Sequence, residues 1–309
     1  MKRPLPTLVA AAFMCSHAFG QDAPVPPIKP PDDVWKAKIA SLAPSKPRVE
    51  PKSPRKVLMV SLATGFCHEV IPHVKVVIDT LAKTGAFEVT HSDDPAMFEP
   101  ARLAQFDAVI LNNTCTKNPG RNWFIDVLQK DKSLTDAQCK EKAAVLEKSL
   151  IDFVAQGKGV VAIHGAVVFL NDSKDFSNML GGSFAMHPKL EELTVKLVEP
   201  DHALLKAFQG KPFTHLDEPY LFKNAYNDKN FRPLLELDMD SLDPKAQQAM
   251  KGDRRYVSWI KSHGKGRVFY CSPSHHSLTY ERESVLQYYL DGIQYALGDL
   301  KCDDSPVGK

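Results

Sequence analysis

The sequence lacks several features that mark common classes of protein. Its 309 residues contain only six cysteines, none in a CxxC pair, so nothing indicates a structural zinc site of that kind. The chain also has no large excess of either charge, because 39 basic residues stand against 37 acidic ones. A nearly neutral chain is a poor nucleic-acid binder, since that affinity comes largely from neutralised phosphates. Beyond the first twenty residues no stretch is apolar enough to cross a bilayer.

The first twenty residues have the pattern of a cleavable signal peptide. Lys2 and Arg3 precede an apolar run over 8–14, and 18–20 is a small-x-small cleavage site. We expect cleavage after Gly20 and a periplasmic or secreted protein without an integral membrane segment. A short membrane anchor and a lipoprotein attached at residue 15 are the alternatives. Cleavage would bring the formal net charge from +2 to zero and leave five cysteines, whose pairing stays open.

Proline is concentrated in the segment that follows. Residues 22–54 hold nine of the 23 prolines, and this composition predicts an extended linker over 21–54 with one short helix at 33–42. We therefore divide the chain into a signal peptide (1–20), a linker (21–54), one folded domain (55–300) and a tail (301–309).

Apolar strands alternate with helices in the first half of this domain. Strands are predicted at 56–62, 87–91, 106–113 and 160–163, and helices at 70–83 and from a Thr135/Gln138 capping box to Gly157. The second half is less regular, with strands predicted at 193–198, 219–222, 234–237, 256–260 and 267–271 and a last helix at 284–297. The alternation predicts an α/β fold with a doubly wound, mostly parallel sheet.

The most informative stretch is GKGVVAIHGA, at 157–166. A glycine-led apolar run stops there on His164, and two small residues follow it. In α/β proteins this strand-to-turn position displays reactive side chains. His164 could be a catalytic base, a metal ligand or a packing residue at a tight turn.

Other histidines also follow predicted strands. His68 ends the loop after the first strand, and His275 lies in the loop after the strand at 267–271. Because the carboxyl ends of parallel strands share one edge of a sheet, we expect both to lie near His164. A glycine-led loop at 181–188, predicted to be flexible, carries His187.

These motifs, in this order, resemble the trehalose-utilisation (ThuA-like) family. The resemblance runs from about 56 to 298 and rests on the loop ending in His68, the GKGVVAIHGA elbow, GGSFAMHP, DEPY and GKGRVFYCSPSHH. It implies a fold similar to that of class I glutamine amidotransferases, and a sugar-related role. Amidotransferase activity itself is not expected, because its cysteine nucleophile would occupy the position of His164.

Two interpretations of the site stay open. In the first, His68, His164 and His275 bind a divalent metal ion such as zinc, with His187 or Glu218 as a further ligand. In the second, no metal is bound and His164 is a general base, with Glu218 or Asp217 as acid or orienting group. The catalytic candidates are His68, His164 and Glu218, and the candidates for binding a small carbohydrate are Asn113, His187, Asp217 and Tyr220.

We expect an exported enzyme of carbohydrate metabolism, acting on trehalose or a related glycoside or keto-sugar. One alternative is a non-catalytic carbohydrate-binding module on the same fold. Another is a hydrolase with Cys67 as nucleophile beside His68. The oligomeric state stays open.

Overall fold

A nine-stranded sheet organises the part of the chain described by the computed structural model, residues 26–252 and 255–306. The predicted signal segment lies outside these residues. The order of strands across the sheet is β2-β1-β3-β4-β11-β10-β9-β6-β7, and β5 and β8 form a separate pair. The strands are β1 Lys56–Val60, β2 Glu88–His91, β3 Ala108–Asn112, β4 Gly159–Ile163, β5 Ser183–Met186, β6 Glu191–Leu197, β7 Phe213–Asp217, β8 Leu221–Lys223, β9 Arg232–Leu237, β10 Tyr256–His263 and β11 Gly266–Cys271.

The two halves of the sheet differ in strand direction. From β2 to β11 all neighbours are parallel, whereas from β11 to β7 they are antiparallel. Four antiparallel pairings separate β11 from β7, so β7 again runs in the direction of the parallel strands. Its carboxyl end therefore lies at the same edge of the sheet as those of β1, β4 and β11.

Helices cover both faces of the sheet, which confirms the doubly wound architecture. They are α1 Asp33–Leu42, α2 Ile71–Ala82, α3 Pro100–Leu103, α4 Trp123–Leu128, α5 Asp136–Ala155, α6 Lys174–Leu180, α7 Pro244–Ala249 and α8 Glu283–Ala296. One face packs on α2 and α8 and the other on α4, α5 and α6, giving two apolar clusters. The Thr135/Gln138 capping box forms as predicted. Among the described helices, none is both long and apolar enough to span a membrane.

The proline-rich segment lies against the domain from residue 26 onward. Ile39 of α1 is fully buried in the core, and the guanidinium of Arg48 lies 2.8 Å from the carboxylate of Asp291 in α8. The side chain of Gln294 accepts a hydrogen bond from the backbone N–H of Arg48. The division of the chain at residue 54 stays a prediction, but residues 26–54 contribute to the packed structure.

The second half of the structure departs from the sequence-based expectations at three places. The strand predicted at 219–222 is the shorter β8, which pairs with β5 outside the main sheet. The loop predicted at 181–188 contains β5. Strand β7 was missed, because its buried face carries Phe213, His215 and Asp217, and two of these are polar.

Candidate metal centre

The pairing of β4 with β11 sets the position of His164. Ile163 pairs with Cys271 at the last residues of the two strands, so His164 and Ser272 leave the sheet side by side. The Nδ1 atom of His164 lies 2.7 Å from the carbonyl oxygen of Ser272. A carbonyl oxygen can only accept, so Nδ1 carries the hydrogen and Nε2 of the neutral ring keeps a lone pair.

The chain turns sharply at His164, as the small residues after it predicted. His164 has φ 48°, in the left-handed region that non-glycine residues rarely adopt. A Cβ atom on Gly165 would lie 2.5 Å from the Sγ of Cys115 and 2.9 Å from the Cε1 of His68. Glycine is therefore required here for the close approach of the first and fourth strand loops.

Four side chains from four segments of the chain converge at this edge of the sheet. They are His68, His164, Glu218 and His275, and each offers one ligand atom within 4.8 Å of all the others. The Oε2 atom of Glu218 lies 3.1 Å from Nδ1 of His275, 3.4 Å from Nε2 of His164 and 4.0 Å from Nε2 of His68. The structure thus brings together the three predicted metal-binding histidines and adds Glu218 as the fourth member.

The ionisation of the four groups follows from burial and from one another. Burial, followed by the charges of His164 and His275, lowers the pKa of His68 to about 2, so its ring is neutral. Burial acts to raise the pKa of Glu218, but the neighbouring imidazoles of His164 and His275 outweigh it and hold that pKa well below its ordinary value. Burial acts to lower the pKa of His275, but the hydrogen bond with Glu218 and the charges of Asp217 and Glu218 raise it on balance. The cluster therefore combines a carboxylate with at least one neutral imidazole.

Tyr220 and His187 border the four-residue cluster. The hydroxyl of Tyr220, which is buried, lies 3.0 Å from Nε2 of His164 and donates to its lone pair. The ring of His187 stacks on that of Tyr220 with centroids 5.5 Å apart, and its Nε2 lies 3.6 Å from Oε1 of Glu218. The side chain of His187 is 34% exposed, so this residue is the one that solvent or a ligand reaches first.

The other residues predicted to bind substrate are buried. Asn113 is fully buried, and its side-chain oxygen accepts from the backbone N–H of Gly165 at 3.4 Å. Asp217 is also buried and hydrogen bonded to backbone groups. Their predicted role in substrate binding stays a prediction. Trp259 is fully buried and donates to the carbonyl of Leu180, as expected of a core residue.

The arrangement does not favour thiol chemistry at Cys67. Its neighbour His68 turns Nε2 toward Glu218, and the sulfur near its Nδ1 is that of Cys115, at 3.8 Å. Cys67 itself is exposed and, in the described part of the chain, has no hydrogen bond to a base. Burial raises the pKa of Cys115 to about 12, so that thiol is protonated at neutral pH. All five cysteines in the described residues are free.

Sequence reasoning missed one buried residue beside the cluster. His215 lies on β7, and its Nδ1 is 3.4 Å from Oδ2 of Asp217. Burial lowers the pKa of His215 to about 4, against the opposing charge of Asp217. Alternation of Phe213, His215 and Asp217 is the period of a strand, and it could have revealed both β7 and this histidine.

Comparison with known proteins gives one sequence match and several structural ones. The family model described as ThuA, trehalose utilisation, matches residues 56–296. No curated protein sequence matches the chain. A protein described as ThuA-like from Bacteroides uniformis superposes with a TM-score of 0.59 at 15% identity, covering 80% of this chain and 93% of that one. Another described as ThuA-like, from Parabacteroides merdae, gives 0.55 at 14% identity, covering 81% and 92%. At these identities the likeness concerns the fold alone.

Proposed function

Because the chain belongs to the ThuA (trehalose utilisation) family, we propose that it is an exported enzyme acting on a small carbohydrate, with a divalent metal ion bound by His68, His164, Glu218 and His275. Zinc is the first candidate, since imidazole and carboxylate ligands suit it. The substrate is expected to be trehalose or a related glycoside or keto-sugar. Export rests on the sequence of residues 1–20, and mass measurement of the mature chain tests it: the chain should begin at Gln21.

One observation carries the metal proposal: the ligand atoms of three imidazoles and one carboxylate all lie within 4.8 Å of one another. In the neutral ring of His164, Nε2 is an acceptor because Nδ1 donates to Ser272, and it lies 3.4 Å from the Oε2 atom of Glu218. Two acceptors at that distance repel unless a cation or a proton lies between them. A metal ion bound by all four groups removes this repulsion, and the hydrogen bond to Ser272 is the outer contact that usually orients a histidine ligand.

A metal ion bound there would polarise a sugar carbonyl or activate a water molecule. The chain's own residues would bind and orient the substrate. His187, the most exposed member of the group, is placed to exchange a hydrogen bond with a substrate hydroxyl. Tyr220 lies behind it and fixes the ring of His164. A general-base role for His164 without metal is less favoured, because its ring is fully buried.

Metal analysis of the purified protein tests this proposal. We expect about one transition-metal ion per chain, lost in His164→Ala and in His68→Ala. The control is His91→Ala, since His91 lies on β2 and its side chain pairs with Asp79 at 2.7 Å, away from the four-residue cluster. A metal-free wild-type protein whose sugar binding is unchanged in the two site variants contradicts the proposal. Metal and sugar binding without turnover would instead indicate a binding module.

A further inference from the structure

We infer that Asp217 is a positioning residue that sets the distance between two ligands of the proposed metal centre, Glu218 and His275. The inference rests on the proposed function, because it concerns the same site. It assigns Asp217 to the construction of the site and not to contact with the substrate.

The carboxylate of Asp217 accepts three backbone hydrogen bonds. Its Oδ1 accepts from the N–H of Glu218 at 2.8 Å. Its Oδ2 accepts from the N–H of Ser274 at 2.8 Å and from that of His275 at 3.0 Å. One side chain therefore holds the backbone of both ligand residues.

Sheet pairing cannot set this distance. Glu218 follows β7 and His275 follows β11, and three strands, β10, β9 and β6, lie between those two in the sheet. The loop after β11 crosses this gap to reach β7, where no ladder hydrogen bonds connect the two segments. The contacts of Asp217 take the place of that missing pairing.

A second layer holds the carboxylate itself. The Nδ1 atom of His215 lies 3.4 Å from Oδ2 of Asp217 and 3.2 Å from the hydroxyl of Thr279, which follows the loop that carries His275. Nδ1 of His164 lies 3.6 Å from Oδ1. Asp217 is thus enclosed by His215 on β7, by the loop after β11 and by His164.

Burial favours a positioning role for Asp217 over direct contact with a substrate. Asp217 is 1% exposed, and both its oxygens are engaged by backbone donors. A substrate hydroxyl that displaced one of these N–H groups would leave a buried donor without a partner, which is unfavourable.

The test is Asp217→Asn, which keeps the shape but replaces one acceptor oxygen with an NH₂ group. That group cannot accept, so the variant releases either Glu218 or the pair Ser274 and His275. We expect zinc affinity, measured by competition with a chromophoric chelator, to fall about 10–100-fold, as found when outer contacts of metal ligands are removed. The matched control is Asp107→Asn at the opposite edge of the sheet, where the carboxylate accepts from the backbone of Lys56 at 3.0 Å and from Lys158 at 2.9 Å.

The control separates positioning from general destabilisation. Asp107→Asn should lower thermal stability but leave zinc affinity within about twofold of wild type. Equal zinc affinity in Asp217→Asn and wild type overturns the inference, as does an equal loss in both variants. If wild type and Asp107→Asn bind no zinc, the proposed function fails, and the inference fails with it for that separate reason.

A second measurement covers the case in which Asp217→Asn does not fold. In the wild-type protein, hydrogen exchange of the backbone amides of Ser274 and His275 should be slow, because both donate to a buried acceptor. Fast exchange at these two amides in the folded protein contradicts the inference without any variant.

Discussion

Two buried carboxylates, Glu218 at the sheet edge and Asp291 in helix α8, respond to burial in opposite ways. Burial is the largest influence on both, and it favours the neutral form. For Glu218 the neighbouring imidazoles of His164 and His275 outweigh burial and hold the pKa low. For Asp291 the hydrogen bond from Gln287 and the charge of Arg48 are not enough, and the pKa rises from its ordinary value of 3.8 to about 6.

The difference separates a candidate functional site from a structural contact. Glu218 is ionised because several groups that are themselves candidate metal ligands converge on it, and its side chain keeps 10% exposure toward solvent. Asp291 is 0% exposed and has one cationic partner, which belongs to the segment packed over α8. The convergence of several possible metal ligands, more than burial, distinguishes a site that could bind a cation.

The largest expected effect concerns metal binding at these two carboxylates. Glu218→Gln removes one of four ligands, so we expect a loss of metal affinity of at least about 100-fold, more than an outer contact contributes. Asp291→Asn should bind metal as wild type does. Titration with zinc measures both, and comparable affinities in the two variants would remove the distinction between the carboxylates.

The next effect concerns stability as a function of pH. The pKa of Asp291 is about 6 in the folded protein and about 4 in an unfolded chain, so the folded state binds this proton more tightly. Its contribution to stability is complete below pH 4 and is lost as the pH rises through 6. The difference in free energy of unfolding between Asp291→Asn and wild type should therefore shift by about 3 kcal/mol in favour of the variant as the pH rises from 4 to 8.

Denaturant unfolding of both proteins across this range measures that difference. A difference that stays constant with pH means that the pKa of Asp291 is not raised by folding. Glu218→Gln should show no gain of this sign, since folding lowers the pKa of Glu218.

The smallest expected effect tests whether Tyr220 belongs to the metal-binding cluster. Tyr220→Phe removes the hydroxyl that donates to Nε2 of His164. A metal ion then no longer has to displace this hydrogen bond in order to bind Nε2. We expect metal affinity between equal to wild type and about tenfold tighter, with stability lower by about 1 kcal/mol. The control is Tyr295→Phe, which loses a hydrogen bond to Asp304 at 2.7 Å near the end of α8 that packs on the start of β4. Loss of metal in Tyr220→Phe would make the hydroxyl a ligand.

Strand and helix patterns predicted the parallel half of the fold well. The strands containing Val57 and Val160 are continuous apolar runs, because both faces of a parallel sheet are covered, and the capping box at Thr135 marks a helix start. The antiparallel half was harder. Strand β7 buries His215 and Asp217, so the alternation that reveals a strand carries polar residues on its inner face.

The candidate site was predicted in part. His68, His164 and His275 follow parallel strands, and the common edge of those strands brought them together as expected. Glu218 was named, with His187, as a possible further ligand, but its place as fourth member depends on β7 pointing the same way as β11. Four antiparallel pairings produce that direction, and the sequence shows neither their number nor their order.

The sequence alone determined the alternation of βα units and the small residues that allow a sharp turn after His164, because apolar runs, capping and turn composition depend on neighbouring residues in the chain. Only the tertiary structure decided that Glu218 is the fourth ligand candidate and that Asp217 holds the two loops together. These contacts join residues 57 and 58 positions apart across unpaired segments. Their distance is fixed by sheet order and loop path, which no local pattern encodes.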